Sequence, residues 1–259
     1  LDLLAASAGA VAEVEDPYRQ AEVLASIARA QATVEGPAAA EKIIRQALSV
    51  ASRIQADEFR GWVLNDIVMA QIAAEDLSGA RQTAESITVV RPQVAAYATL
   101  ANVHVKLGNL PAAQTLALRI GDPVARGDIL RQIVSAHCLN GDVEAARAML
   151  PSIEDKQYSA MAFGDVAAAR VENDDLPGAF KVVARARRSA RNEIYGRVSL
   201  ARRRAVTSPA RSRRYSSSTS PWRVRWFKVA SAYNVWNARM PPGLEKYWPP
   251  RSTGSSKQM

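Results

Sequence analysis

The stretch YATLANVHVKLGNLPAAQTLA, residues 97–117, decides the fold. Apolar and small residues around Leu100 recur at the spacing of one face of an α-helix. Gly108 and Asn109 then interrupt the pattern: glycine suits the left-handed residue that ends a helix, and asparagine suits the N-cap of the next one. Pro111 follows in a first turn, where its missing N–H costs nothing. The stretch therefore predicts two consecutive helices joined by a tight turn.

The same pattern recurs along the chain with a period of 33 residues. Four sets of positions, called repeat columns below, share this period: Ala80, Ala113, Ala146 and Ala179; Ile67, Leu100, Ile133 and Val166; Asp76, Asn109, Asp142 and Asp175; Leu77, Leu110, Val143 and Leu176. Self-similarity at a fixed period of this length is the signature of a repeat architecture. We therefore predict a series of repeats, each with a first and a second helix.

The spacing changes at both ends of the series. Val23 precedes Val63 by 40 residues, which predicts a second helix about two turns longer over Ala38–Ile54. Ile194 follows Ala162 by 32 residues, and only the first helix of that last repeat is evident. A stack of repeats without a polar terminal cap exposes apolar surface, so we expect self-association through this end.

Helix-turn-helix units of this length resemble the tetratricopeptide repeat. Tyr97, Leu100, Ala101 and His104 sit where that family has a large residue, a leucine, a small residue and an aromatic. The resemblance covers about residues 17–201 and is that of a degenerate member, since small or aliphatic residues replace the second-helix aromatic. It implies an all-α fold, an α-solenoid of stacked antiparallel helix pairs that form a right-handed superhelix.

Charge divides the chain near residue 201. Residues 1–201 hold 21 Lys and Arg against 24 Asp and Glu, a net charge of −3, whereas residues 202–259 hold 13 against Glu245 alone, a net charge of +12. We predict a helical repeat domain over 1–201 and a basic tail rich in Arg, Ser, Trp and Pro over 202–259. Three interpretations of the tail stay open: binding to nucleic acid or an anionic surface through cations and aromatic rings, a disordered linker, or a non-native, out-of-frame extension.

Residues that could carry catalysis are few. His104 and His137 occupy the same repeat position as Gln71 and Arg170, which favours structural roles for both histidines over a metal site. The single cysteine, Cys138, excludes an intramolecular disulfide framework, and no Cys-His-Asn arrangement is visible. Acidic pairs fall at predicted turns, where capping explains them, and no nucleotide-binding or hydrolase motif is present. The sequence predicts no enzyme activity, no cofactor and no metal.

By the resemblance, the first helices line a concave groove that binds a peptide or protein segment. Trp62 would anchor such a ligand, or alternatively would pack against the long first repeat. The expected groove residues are Trp62, Asn65, Met69, Asn102, Lys106, Asp128, Arg131, Ser135 and Asp165, with Glu22 and Arg29 on the first repeat. The alternative function is nucleic-acid or anionic-surface binding through the tail.

No apolar run reaches the roughly 18–20 residues that span a bilayer. Position 1 is Leu, so we expect that the true start has been processed or cut away, which leaves a lost export signal open. A cytoplasmic location in a bacterium is favoured, and a periplasmic one is the alternative.

Overall fold

The computed structural model describes Val11 and residues 14–207. Within that part of the chain, the structure has eleven α-helices and no strand. The predicted all-α class is therefore confirmed for the described residues. Residues 208–259, which make up most of the predicted tail, lie outside them, so the three interpretations of the tail stay predictions.

The helices alternate between long and short. In chain order they are α1 (Pro17–Val34), α2 (Pro37–Ala51), α3 (Asp57–Ala73), α4 (Leu77–Ser86), α5 (Val90–Lys106), α6 (Leu110–Ala117), α7 (Pro123–Leu139), α8 (Val143–Met149), α9 (Lys156–Glu172), α10 (Leu176–Arg185) and α11 (Arg191–Thr207). Short 3₁₀ turns cover Leu150–Ser152 and Arg188–Ala190. The odd-numbered first helices have 17 or 18 residues. Among the second helices α2 is the longest at 15 residues, as the wider spacing of the first repeat predicts.

The turn between the two helices of a repeat is the same in four repeats. Asp76, Asn109, Asp142 and Asp175 are the N-caps of α4, α6, α8 and α10, and each side chain accepts a hydrogen bond from the backbone N–H three residues on, over 2.8–3.3 Å. The residue before each cap has a positive φ: 59° at Glu75, 74° at Gly108, 82° at Gly141 and 60° at Asp174. The predicted capped turn is thus confirmed, even in the two repeats that have no glycine there.

The starts of the first helices are capped less uniformly. Asp16, Asp122 and Asp155 cap α1, α7 and α9 by accepting backbone N–H groups. Asp57 is instead the first residue of α3, whose N-cap is Ala56, and its carboxylate pairs with the Arg60 side chain. The reason is register, because Asp57 lies one residue after the position that Asp122 and Asp155 share.

The described part of the chain divides into two compact units, one with residues 14–136 and 151–158 and the other with residues 137–150 and 159–207. In the first compact unit, each of α1, α3 and α5 packs against its own second helix, and α3 also packs against both α1 and α5. A Cβ on Gly61 of α3 would come within 2.7 Å of the Pro92 side chain of α5, so these two helices approach closely. In the second compact unit, α10 packs against α11.

The repeat columns supply the buried side chains of both compact units. Ala80, Ala113, Ile67, Leu100 and Ile133 in the first unit and Ala146, Ala179 and Val166 in the second are fully buried. Alanine in the second helix leaves room for the aliphatic residue of the first helix. These two columns therefore contribute one small and one large buried residue per repeat to the hydrophobic core.

Candidate functional site

One row of residues on α3 stays outside the core. It consists of Phe59, Trp62, Asp66, Met69 and Ala73, which the helical period places on one face. Phe59 is 54 % exposed and Trp62 is 38 % exposed, and the other three side chains are half-buried. Among the described residues, exposed aromatic side chains are the exception, since most of the large apolar residues there are buried or half-buried.

Equivalent rows run along the other first helices and are called open rows here. They contain Glu22, Ser26 and Arg29 on α1; Ala95, Thr99, Asn102 and Lys106 on α5; Asp128, Gln132, Ser135 and Leu139 on α7; Met161, Asp165, Ala168 and Glu172 on α9. In the first compact unit α3 packs against both α1 and α5. The charges of Glu22 and Arg29 on α1 also act on the pKa of Asp66 on α3. We call the rows of α1, α3 and α5 together the open face.

Seven of the nine expected groove residues lie in open rows. They are Trp62, Met69, Asn102, Lys106, Asp128 and Ser135 in the first compact unit and Asp165 in the second; Lys106 and Trp62 are exposed and the other five are half-buried. Asn65 and Arg131 lie one residue before the rows, in another column. Asn65 is only 8 % exposed, contrary to the expectation that it turns away from the packing. The reason is that α1, α2, α4 and α5 surround α3 and bury most of its circumference.

Asp66 belongs to the site although its sequence context did not single it out. It lies four residues after Trp62 and three before Met69, a spacing that could have identified it. Burial, and secondly the Glu22 carboxylate, raise the pKa of Asp66 above its usual value, and the Arg29 guanidinium acts in the opposite direction. Among the described residues no hydrogen-bond donor or salt-bridge partner reaches the Asp66 carboxylate. The open face therefore holds a partly desolvated acid beside an exposed tryptophan.

We expect Asp66→Asn to raise the free energy of unfolding at neutral pH. The folded-state pKa of Asp66 lies above the unfolded value near 3.8, so the wild-type protein loses stability as the pH rises from 3.8 through the folded-state pKa. Asparagine does not ionise, so the gain should be complete above the folded-state pKa and vanish below 3.8. Urea unfolding of both proteins across this range measures it; a gain that does not vary with pH would contradict the ionisation argument.

The two histidines lie in a polar column that serves the N-caps of the second helices. In the second compact unit the His137 Nδ1 atom is 3.5 Å from the Asp142 carboxylate, which caps α8. Arg170, at the same repeat position, lies 2.5 Å from the Asp175 carboxylate that caps α10 and also pairs with Glu144. In the first compact unit burial lowers the pKa of His104. Contacts with the N-caps thus account for His137 and Arg170, whereas the His104 Nδ1 atom is buried without a hydrogen-bond partner among the described residues.

Cys138 has the environment of a packing residue. Burial, followed by the Asp165 and Glu172 carboxylates, raises its pKa to about 12, so the thiol stays protonated at neutral pH. A protonated, half-buried thiol is a poor nucleophile. Across Val11 and residues 14–207, no three His, Cys, Asp or Glu side chains gather closely enough to hold a metal ion.

Comparison with known proteins adds no family to this description. No protein-family model matches the chain, and neither the curated proteins nor the solved structures gave a match. Over the described residues, no helix combines the length and the apolar character that crossing a membrane requires.

Proposed function

We propose that the protein is a non-catalytic scaffold whose open face binds a peptide or a segment of another protein. The proposal includes the finer architecture, a tetratricopeptide-like α-solenoid of antiparallel helix pairs in a right-handed superhelix. The recurrence of the capped turn and of the buried columns at one period supports that architecture, because a helix pair cannot bury its apolar stripe alone.

The observation that carries the proposal is the exposed indole of Trp62. Tryptophan is among the residues that contribute most to protein interfaces when a partner covers them. The apolar surface extends from Trp62 to the exposed Phe59 ring, which meets the Tyr18 ring of α1 edge to face with centroids 5.2 Å apart. Polar side chains at Asp66 and Asn102 lie in the same face. An apolar anchor with a polar surround is the composition of a protein-binding surface.

The non-catalytic part of the proposal is supported by the engagement of the residues that could react. The His137 imidazole and the Arg170 guanidinium face cap carboxylates, and the Cys138 thiol is protonated at neutral pH. The carboxylates of Asp142 and Asp175 accept backbone N–H groups. These contacts support roles in helix capping and packing for His137, Arg170 and Cys138.

Selection of peptides from a random display library on the full chain tests the proposal. The peptides recovered should bind the Trp62→Ala variant about tenfold more weakly than the wild type, because the anchor is lost. The matched control is Leu118→Ala, which removes an exposed apolar side chain just after the second helix α6 and should leave the affinity unchanged. Recovered peptides that bind Trp62→Ala as tightly as the wild type would refute the proposal.

The net charge of +12 over residues 202–259 favours a second candidate function, nucleic-acid or anionic-surface binding through the tail. Such binding arises from counterion release and falls steeply with salt concentration. It would therefore appear as a salt-sensitive affinity of the full chain for single-stranded DNA or anionic vesicles. Trp62→Ala would not change this affinity, which separates the second function from the first.

A further inference from the structure

We propose that the segment bound on the open face presents an arginine side chain, whose guanidinium docks against the Asp66 carboxylate beside Trp62. This inference rests on the proposed function and names the chemistry of its ligand. It is carried by a comparison between two repeats of the chain itself, one in which the equivalent acid already holds a guanidinium and one in which it does not.

The occupied case lies in the second compact unit. Asp165 holds the position in the open row of α9 that Asp66 holds in α3. Its carboxylate pairs with the guanidinium of Arg197, which comes from the next first helix, α11. The Arg197 Nη1 atom also donates to the backbone carbonyl of Met161 over 2.8 Å. One guanidinium thus contacts both the Oδ1 atom of the acid and a carbonyl one turn before it.

The unoccupied case lies in the first compact unit. The next first helix there is α5, and its residue at the position of Arg197 is Thr99. Thr99 is too short to reach across, and its hydroxyl donates instead to the Ala95 carbonyl of its own helix over 2.9 Å. The first compact unit thus has the carboxylate, at Asp66, but no arginine at the position from which Arg197 pairs with Asp165. The position of Met161 is taken by Trp62, whose ring adds an aromatic face to which a cation is attracted.

Asn65 shows how the equivalent place differs in the first compact unit. It is equivalent to Gly164 in the second compact unit, where a Cβ would come within 2.5 Å of the Arg197 Nη1 atom. In the second compact unit the guanidinium therefore lies where a side chain at this position would begin. Asn65 is 8 % exposed, and its Oδ1 atom is buried without a hydrogen-bond partner within the described part of the chain. A ligand cannot reach that atom, so a guanidinium from outside would approach Asp66 along the open row, on the side of Trp62.

The arginine side chains already present near Asp66 do not form an ion pair with its carboxylate. Arg19 pairs with Glu22 over 3.1 Å on the exposed side of α1. Arg29 attracts Asp66 but stays exposed and makes no ion pair with it. The groups left to receive a ligand here are the Asp66 carboxylate and the Trp62 indole face, both of which favour a cation. A planar guanidinium matches them better than an ammonium because it donates in several directions at once.

The test uses the full chain and N-acetyl-arginine amide, with N-acetyl-citrulline amide as the neutral probe of nearly the same shape. The readout is the indole N–H resonance of Trp62, assigned by its loss in Trp62→Phe. We expect a saturable shift with the arginine probe and at least tenfold weaker binding of the citrulline probe. An equal response to both probes would overturn the inference.

Two substitutions test whether Asp66 and the position of Thr99 determine binding of the arginine probe. Asp66→Asn should weaken the arginine probe at least tenfold, whereas Glu41→Gln, on the second helix α2 where the carboxylate pairs with Arg45, should not. Thr99→Arg should abolish binding by supplying the missing guanidinium from α5. If Thr99→Arg does not fold, Asp66→Asn decides the question alone, and an arginine response that survives it would overturn the inference.

The outcomes separate this inference from the proposed function. Library peptides that depend on Trp62 but tolerate citrulline in place of every arginine would leave the proposed function standing and refute the arginine site. Library peptides that ignore Trp62 would refute the proposed function, whatever the arginine probe does.

Discussion

Leu100→Ala should lower the free energy of unfolding by about 2–5 kcal/mol. Leu100 is fully buried in α5, and its column continues as Ile67 and Ile133, which are also fully buried. Removing its side chain leaves a cavity between helices that cannot collapse without shifting the neighbouring repeats. The measurement is chemical denaturation of the full chain, followed by circular dichroism.

The control for this prediction lies seven residues along the chain. Leu107 is the C-cap of α5 and is exposed, so Leu107→Ala should change the free energy of unfolding by no more than about 0.5 kcal/mol. Equal losses for the two variants would mean that Leu100 does not hold the core position assigned to it.

Ala146→Leu should cost about 1–3 kcal/mol, because it adds volume where two helices meet. Ala146 and its column partners Ala80, Ala113 and Ala179 are all fully buried. Ala148 lies in the same helix, α8, and is exposed, so Ala148→Leu is the matched control and should be nearly neutral. Thermal or urea unfolding of the pair measures the difference. An Ala146→Leu variant as stable as the wild type would contradict the close approach of the helices at this column.

Local interactions explain why much of the fold could be predicted from the sequence. A cap such as Asp142 acts on the backbone three residues away, so its role follows from the residue type and the spacing alone. The left-handed residue was evident at Gly108, where glycine marks it. At Glu75 and Asp174 the residue type gives no such signal, and only the repeat register places them in the same conformation.

The site was less predictable because burial depends on neighbouring helices. The groove positions were expected wherever a residue turned away from the apolar stripe of its own helix. Asn65 meets that condition but is buried, since four helices pack around α3. Asp66 is not among the predicted groove residues, although it lies in the open row. The contacts with neighbouring helices determine which face of a helix remains exposed to solvent. A single sequence does not give those contacts directly.

The binding role proposed for Asp66 depends on the comparison of equivalent positions in two repeats. Its sequence context shows an acid on a helix, and the pairing of Asp165 with Arg197 shows what an acid at that position binds. The arginine of the second compact unit has no counterpart in the first, where the equivalent residue is Thr99. When one repeat lacks the arginine that pairs with an equivalent acid in another repeat, the acid can bind an external cation without any change of fold.

The most direct test of the account is the removal of one whole repeat. Deleting residues 90–122 joins Val89 to Pro123, two residues that each stand at the start of a first helix, and preserves the register of every column. We predict a helical protein that unfolds cooperatively, with a denaturant dependence reduced in proportion to the lost surface. Deleting residues 97–127 instead joins Ala96 to Asp128 inside a first helix with an offset of two residues, which turns the apolar stripe beyond the join by about 200°, so this variant should not fold cooperatively. If the two deletions behave alike, the equivalence of the repeats, and with it the open face as a binding surface, is contradicted.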